Sequence, residues 1–421
     1  MAGVRLTWGA ILWWTLSASV LTAQADERIW GRVETADGEV AEGFLRWGRA
    51  GAAWADVLPG VRAIPGEHYR IWSRAWGGDE EPPRRVVELM GFRISWNEDD
   101  PDFPLAAESG IRFGHLQQAR TTETGELVLT LRSGHEVVFQ RGWEGPGSGR
   151  ESLEVEVPGE DPLRVDWDDL LRVTFGPAPG SATASPRLHG TAEDRWGGRY
   201  TGYIAWDLDE LLAADILHGE ERGSGREIPL RQVASLARDW NGTRVTLRDG
   251  GTVVLDGSND VGRGHRGVAV SDPTLGVVTL EWDDVASVRL HPPALTVGYE
   301  AFAGGRRLQG EVVTRAGEVH AGDILWDADE AWSWEILDGR FRDVGYDVEF
   351  GAVSSIRRQS SRSAVVTLRD GRSFELEGSN DVGEGNKGIF VRAPGGTEGA
   401  GEATWILVSW DEFLEVRFHH E

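Results

Sequence analysis

The chain contains no cysteine, and only Lys387 among its 43 basic residues is a lysine. Without cysteine there is no disulfide, no thiolate metal site and no cysteine nucleophile. The 69 acidic residues outnumber the basic ones and give a formal net charge of −26. Because a strongly acidic chain repels nucleic-acid phosphates, we expect no nucleic-acid partner.

Long hydrophobic runs are also scarce. One follows Arg5, the only charge in residues 1–25, and it ends in Ala23-Gln24-Ala25. A short apolar run closed by small residues predicts a secretory signal peptide over residues 1–25 rather than an uncleaved anchor. No later run approaches the roughly 20 apolar residues of a membrane helix. We therefore expect a periplasmic or secreted protein with no membrane span in the mature chain.

The mature chain repeats itself. Residues 245–250 (VTLRDG) recur at 366–371, and residues 257–262 (GSNDVG) recur at 378–383, both 121 positions later. A degenerate third copy begins at Leu129. Such a period indicates three tandem repeat units of about 120 residues. The predicted units are residues 26–176, 187–291 and 305–420, and the first carries an insertion of 42 residues near residues 49–108.

Each unit divides into two different half-units of short strands. Apolar residues alternate with polar ones on both sides of Asp249-Gly250, a pair typical of a tight β-hairpin. About five such strands in 50 to 60 residues suit a small barrel. Their order, with a short turn before the last strand, resembles that of SH3-type or Sm-type barrels. We predict an all-β fold of three units, each made of two small SH3-/Sm-like β-barrels; a six-bladed β-propeller is the alternative.

Two glycine patterns, residues 262–267 and 383–388, have the G-x-G-x-x-G spacing of dinucleotide-binding loops. That mechanism needs a helix N-terminus directly after the glycines, whereas strand-like residues follow here. We therefore assign no cofactor-binding residue to them.

Two acidic turns are the candidate metal sites. Each follows a tryptophan and holds three carboxylates within four residues, and carboxylate oxygens are ligands that calcium prefers. Both turns lack the glycine and the final glutamate of an EF-hand loop, so a solvated acidic turn is the alternative. The candidate ligands are Asp207, Asp209 and Glu210 in the second unit, and Asp327, Asp329 and Glu330 in the third.

Tryptophans in the insertion are the candidate ligand-binding residues. Trp72 and Trp76 lie there, as does Trp96, in a segment that the other two units lack. Aromatic rings outside a core often serve recognition. The alternative is that these rings bury the insertion against the first barrel.

No catalytic residue is assigned, because the chain has neither a His-Glu-x-x-His nor a Gly-x-Ser-x-Gly motif. Abundant arginine with a single lysine favours a GC-rich bacterial genome. We predict an exported, non-catalytic repeat protein that binds or scaffolds in the bacterial envelope, with an envelope protein or polysaccharide as its partner. The alternative is a secreted carbohydrate-binding or carbohydrate-acting protein that uses Trp and paired Asp or Glu residues.

Overall fold

A computed structural model of the chain describes residues 26–49, 51–76, 103, 106–140, 152–240, 242–392 and 405–419. The predicted signal peptide and Trp96 lie outside these residues. The described chain is nearly all β, as predicted, with thirty strands and one α-helix. None of its helices is both long and apolar enough to cross a membrane.

The strands fall into three segments of ten. The first segment contains β1 (Trp30–Thr35), β2 (Val40–Trp47), β3 (Val57–Ala63), helix α1 (Gly66–Trp76), β4 (Ala106–Arg112), β5 (Leu116–Thr121), β6 (Leu127–Leu131), β7 (Glu136–Phe139), β8 (Leu153–Glu156), β9 (Leu163–Val165) and β10 (Leu170–Phe175). The second contains β11 (His189–Asp194), β12 (Arg199–Trp206), β13 (Ile216–Glu221), β14 (Ser224–Pro229), β15 (Val233–Asp239), β16 (Gly242–Leu247), β17 (Thr252–Leu255), β18 (Val268–Asp272), β19 (Gly276–Leu280) and β20 (Val285–Leu290). The third contains β21 (Gln309–Thr314), β22 (Val319–Leu325), β23 (Ile336–Phe341), β24 (Val344–Glu349), β25 (Val353–Arg358), β26 (Ser363–Leu368), β27 (Ser373–Glu377), β28 (Ile389–Arg392), β29 (Trp405–Val408) and β30 (Phe413–Phe418).

Local sequence explains the individual strands. In β17, Val253 and Leu255 are buried while Thr252 and Val254 are exposed, which is the period-two pattern of a half-buried strand. The predicted Asp-Gly hairpin joins β16 to β17, and Gly250 has φ +92° there. Glycine adopts such a left-handed conformation without a steric penalty, so this turn is fixed by its sequence.

All ten strands of the second segment are antiparallel and pair in the order β14-β13-β17-β16-β15-β20-β11-β12-β18-β19. The contact between β13 and β17 is a single bridge from Glu220 to Asp256. The first segment has the same order with its own strands, and so does the third. Each segment is therefore two five-stranded halves joined along one central pair, which is β15–β20 in the second segment.

The predicted barrels differ from this arrangement. No sheet of the described chain is closed, and each five-stranded half mixes strands of both predicted half-units. β11 pairs with β20 and β12 with β18, while β16 pairs with β15 and a bridge next to β17 reaches β13. The cause is the short link between β15 and β16, where Asp239 pairs with Gly242. Because this tight turn makes the two strands neighbours, the second half-unit begins on the sheet of the first.

The pairing also differs from separate four-stranded propeller blades, because one sheet continues from the second segment into the third. Gly276–Thr279 of β19 pairs antiparallel with Gly345–Val348 of β24. Helix α1 joins the first segment to the third, since Tyr69 and Ile71 pack with Leu325 and Phe390. These contacts bring three segments around a common junction.

Candidate functional site

A cavity of about 470 Å³ lies where the three segments meet. Its apolar lining includes Val57 and Pro59 from the first segment, Leu211 and Val277 from the second, and Ile336 from the third. Its charged and hydroxyl-bearing lining residues are Arg49, Asp56, Glu108, Ser109, Arg187, Arg266, Ser271, Thr279, Asp338 and Asp347. No single segment forms this cavity, so it exists only in the assembled chain.

One part of the wall is a buried ion pair between segments. Arg187 Nε lies 3.1 Å from Asp56 Oδ2, and Arg187 Nη2 lies 3.2 Å from Asp56 Oδ1. Asp56 also accepts hydrogen bonds from the backbone N–H groups of Ala52 and Ala53 and from the Ser271 hydroxyl. A paired and fully hydrogen-bonded carboxylate is how a buried charge is tolerated, and here it fixes the first segment to the second.

A second part of the wall is the acidic turn of the second segment. Asp207 and Leu208 have φ of 50° and 63°, an uncommon left-handed pair that lets β12 reverse within three residues. Arg266 Nη2 lies 2.7 Å from Asp207 Oδ2 and 2.5 Å from Asp209 Oδ1. A guanidinium therefore already balances two of the three carboxylates predicted to bind calcium.

The predicted ligands Asp207, Asp209 and Glu210 do come together, with one oxygen of each lying within 4.8 Å of the others. Burial, followed by the nearby charges of Asp209 and Asp260, raises the pKa of Glu210 to about 10. At neutral pH the Glu210 carboxyl thus holds a proton beside the Arg266 pair. A divalent cation would have to displace that proton.

The second predicted trio, Asp327, Asp329 and Glu330, is more deeply buried. Asp327 accepts a hydrogen bond from the backbone N–H of Lys387, which occupies the position of Arg266 in the third segment. Asp329 Oδ2 lies 3.9 Å from Arg62 Nη2. Burial and then the charge of Asp329 raise the pKa of Glu330 well above its ordinary value.

Three carboxylates form the remaining part of the cavity wall. Asp338 of β23 and Asp347 of β24 are cross-strand partners, and Glu108 of β4 approaches them from the first segment. Arg49 of the first segment lines the same cavity, and its Nε lies 3.8 Å from Asp209 Oδ2. The side chains of all three are exposed to solvent. Desolvation at the cavity wall, followed by the charges of Asp338 and Glu108, raises the pKa of Asp347 to about 7. Three carboxyl groups thus crowd one wall of the cavity.

The predicted ligand-binding tryptophans lie away from this cavity. Trp72 is half-buried and packs with Tyr69 and Phe103, at ring-centroid distances of 6.0 and 5.1 Å, on the surface of the third segment. Trp76 is 54% exposed, and its Nε1 donates to the carbonyl of Lys387 at 3.4 Å. The insertion helix thus packs against the third segment.

Sequence reasoning missed the acidic wall. Asp338 and Asp347 belong to no motif, and only the register of the β23–β24 hairpin places them opposite each other. The turn at residues 342–343 offered a signal, because the two aspartates lie at equal distances from its centre. Glu108 meets them through contacts between segments, which no local pattern reveals.

Comparison of the chain with protein-family models, with curated proteins and with solved structures gave no match.

Proposed function

We propose that the chain is an exported, non-catalytic binding module of the bacterial envelope, built from three tandem units, and that the cavity at their junction binds a small organic cation. The observation that carries the proposal is the acidic wall, in which Glu108, Asp338 and Asp347 lie together in a cavity of about 470 Å³. Like charges placed directly opposite each other on paired strands destabilise a sheet. A cationic ligand relieves that repulsion.

The aliphatic residues beside this acidic wall argue for an organic cation rather than a bare ion. Leu211, Val277 and Ile336 line the cavity with aliphatic surface, and a cavity that is mostly apolar with a few converging polar groups is typical of small-molecule sites. Arg187 and Arg266 are already paired with carboxylates. An alkyl ammonium or guanidinium group, free or on a lysine or arginine of an envelope protein, matches both the charge and the apolar surface.

Titration of the mature chain with cadaverine and agmatine tests this proposal. Binding should raise the melting temperature through linkage, and affinity should increase as the pH rises through about 7, because deprotonated Asp347 is the binding form. Asp347→Asn should weaken binding about tenfold or more. The matched control is Asp343→Asn, which removes the same charge from the exposed turn of the same hairpin.

The proposal fails if neither amine changes the melting temperature, or if the Asp343 variant loses as much affinity as the Asp347 variant. Export is tested separately, by sequencing the N-terminus of the protein from the periplasmic fraction. A mature chain beginning at Asp26 would support the predicted signal peptide, and an intact residue 1 would contradict it.

A carbohydrate-acting enzyme is the second candidate, and one observation favours it. The cavity places Asp338 opposite Asp347, and the pKa of Asp347 is raised to about 7, as in a general acid that holds its proton near neutral pH. Release of reducing sugar from envelope polysaccharides by the wild type, lost in Asp347→Asn, would support catalysis. Cation binding without sugar release would favour the binding module.

A further inference from the structure

A second cavity, which shares Arg266 with the junction cavity, opens on the surface of the second segment. Its volume is about 700 Å³, and Trp240 and Trp282 both line it. Trp240 stands in the short link between β15 and β16 and is 91% exposed. Because this indole is almost fully exposed beside a concave surface, it can contact a ligand without changing the packing of the core. Exposed aromatic rings of this kind often bind ligands.

Trp282 provides the rigid floor of this groove. Its ring is stacked on His265 at a centroid distance of 4.2 Å, and Arg238 lies 5.9 Å from the ring centroid. Arg238 in turn donates to the backbone carbonyl and the carboxylate of Asp283, at 2.7 and 2.6 Å. The groove is thus held in shape before any ligand arrives, which lowers the entropic cost of binding.

The corresponding place in the third segment is closed. There, Trp410 is only 4% exposed, and its Nε1 donates to the carbonyl of Ser361 at 3.0 Å. The link between β25 and β26 is two residues longer than the link between β15 and β16 and holds serines instead of a tryptophan. In the third segment the loop therefore covers Trp410, whereas in the second segment the loop adds an exposed second ring, Trp240, beside Trp282.

The polar groups of the groove fit hydroxyl groups better than a charged ligand. Arg238 is paired with Asp283, and Glu281 is paired with Arg340 at 3.1 Å. Such pairs keep spare donor and acceptor positions at fixed places while their charges cancel. Sugar rings offer hydroxyls at their edges and an apolar C–H face that packs on an aromatic ring.

We propose that the groove at Trp240 and Trp282 is a binding subsite for a neutral polysaccharide. The lining of the groove does not include Glu108, Asp338 or Asp347, so the proposed polysaccharide binding does not depend on the proposed cation binding. Trp240 supplies the stacking face, and the Arg238–Asp283 pair supplies hydrogen bonds to the hydroxyls.

Affinity gel electrophoresis with dextran, laminarin, galactomannan and hydroxyethyl cellulose tests the subsite. At least one of these neutral polymers should retard the wild type, and Trp240→Ala should weaken that interaction about tenfold or more, as expected for a central aromatic contact. Because Trp240 is exposed, this variant should keep the melting temperature of the wild type. Trp196→Ala, at another exposed tryptophan of the same segment, is the matched control.

Two results would overturn the proposal. One is that none of the four polymers retards the wild type. The other is that Trp240→Ala is retarded as strongly as the wild type and the Trp196 control. If a polymer still retards Trp240→Ala but no longer retards Trp76→Ala, the polysaccharide site lies on the insertion helix instead.

Discussion

The buried pair of Asp56 and Arg187 gives the sharpest stability prediction. Both side chains are almost fully buried, and they belong to different segments. Asp56→Ala leaves the Arg187 guanidinium without its counter-charge and removes the acceptor used by Ala52, Ala53 and Ser271. We expect this variant to be among the most destabilised single substitutions in the chain.

The magnitude follows from the environment of the pair. Removing one partner of a buried ion pair costs about 3–5 kcal/mol, because an uncompensated charge remains in the interior. The matched comparison is Glu193→Ala, which breaks an exposed pair with Arg199 and should cost less than about 1 kcal/mol. Replacing Arg187 by leucine in the Asp56→Ala background should recover part of the loss, because the unpaired charge is then gone.

The pH dependence has a definite sign. Burial alone would raise the pKa of Asp56, but the charge of Arg187 and its hydrogen bonds outweigh burial and hold the pKa below the ordinary 3.8. A lowered pKa in the folded state contributes stability that is present above about 3.8 and is lost as the pH falls through the lowered value. The difference between wild type and Asp56→Ala should therefore stay constant from pH 8 to 5 and shrink only in stronger acid.

Urea unfolding followed by tryptophan fluorescence measures these differences. An Asp56→Ala variant within about 1 kcal/mol of the wild type at pH 7 would refute the reasoning, because it would mean that the segments do not depend on this contact. Equal losses in Asp56→Ala and Glu193→Ala would refute it as well.

Three further predictions concern single sites. The pKa of Asp347 is raised in the folded state, so protonation of this carboxyl favours folding. This stabilising contribution is complete below about 3.8 and is lost as the pH rises through about 7. Asp347→Asn should therefore raise the melting temperature at pH 8 and leave it unchanged at pH 4. If the acidic turns bind calcium, millimolar calcium should raise the melting temperature, and the double variant Asp327→Asn with Asp329→Asn should lose part of that rise; an unchanged melting curve would contradict calcium binding. Trp72→Ala should destabilise the chain by roughly 2 kcal/mol and Trp76→Ala by less than about 1 kcal/mol. If either variant loses polysaccharide binding but keeps its stability, these rings form the recognition site.

The sequence was sufficient for the features that are fixed within a few residues. The Asp249-Gly250 hairpin forms because glycine permits the turn, and Asp207, Asp209 and Glu210 meet because one tight turn contains all three. Both predictions depend on local backbone geometry, which sequence determines directly.

Strand exchange and the acidic wall depend on contacts between distant residues, so local patterns could not predict them. The all-β class was predicted correctly, but the strand partners depend on whether β15 turns onto β16 or onto its own half-unit. The pairing of Asp239 with Gly242 settles that choice, and nothing in the alternation of apolar residues encodes it. Likewise, Glu108 meets Asp338 only after the first and third segments pack.

The same turn arrangement recurs once in each segment and links the segments to one another. In each segment an acidic side chain accepts the backbone N–H groups three and four residues before it and also pairs with an arginine from another segment. The three pairs are Asp56 with Arg187, Asp215 with Arg46, and Glu335 with Arg62. Each acid thus fixes its own turn and its neighbouring segment at once, so a shift of one segment would break hydrogen bonds within another. Of the three pairs, Asp56 with Arg187 lines the junction cavity. That part of the cavity wall is preorganised, and preorganisation converts a modest number of ligand contacts into useful affinity.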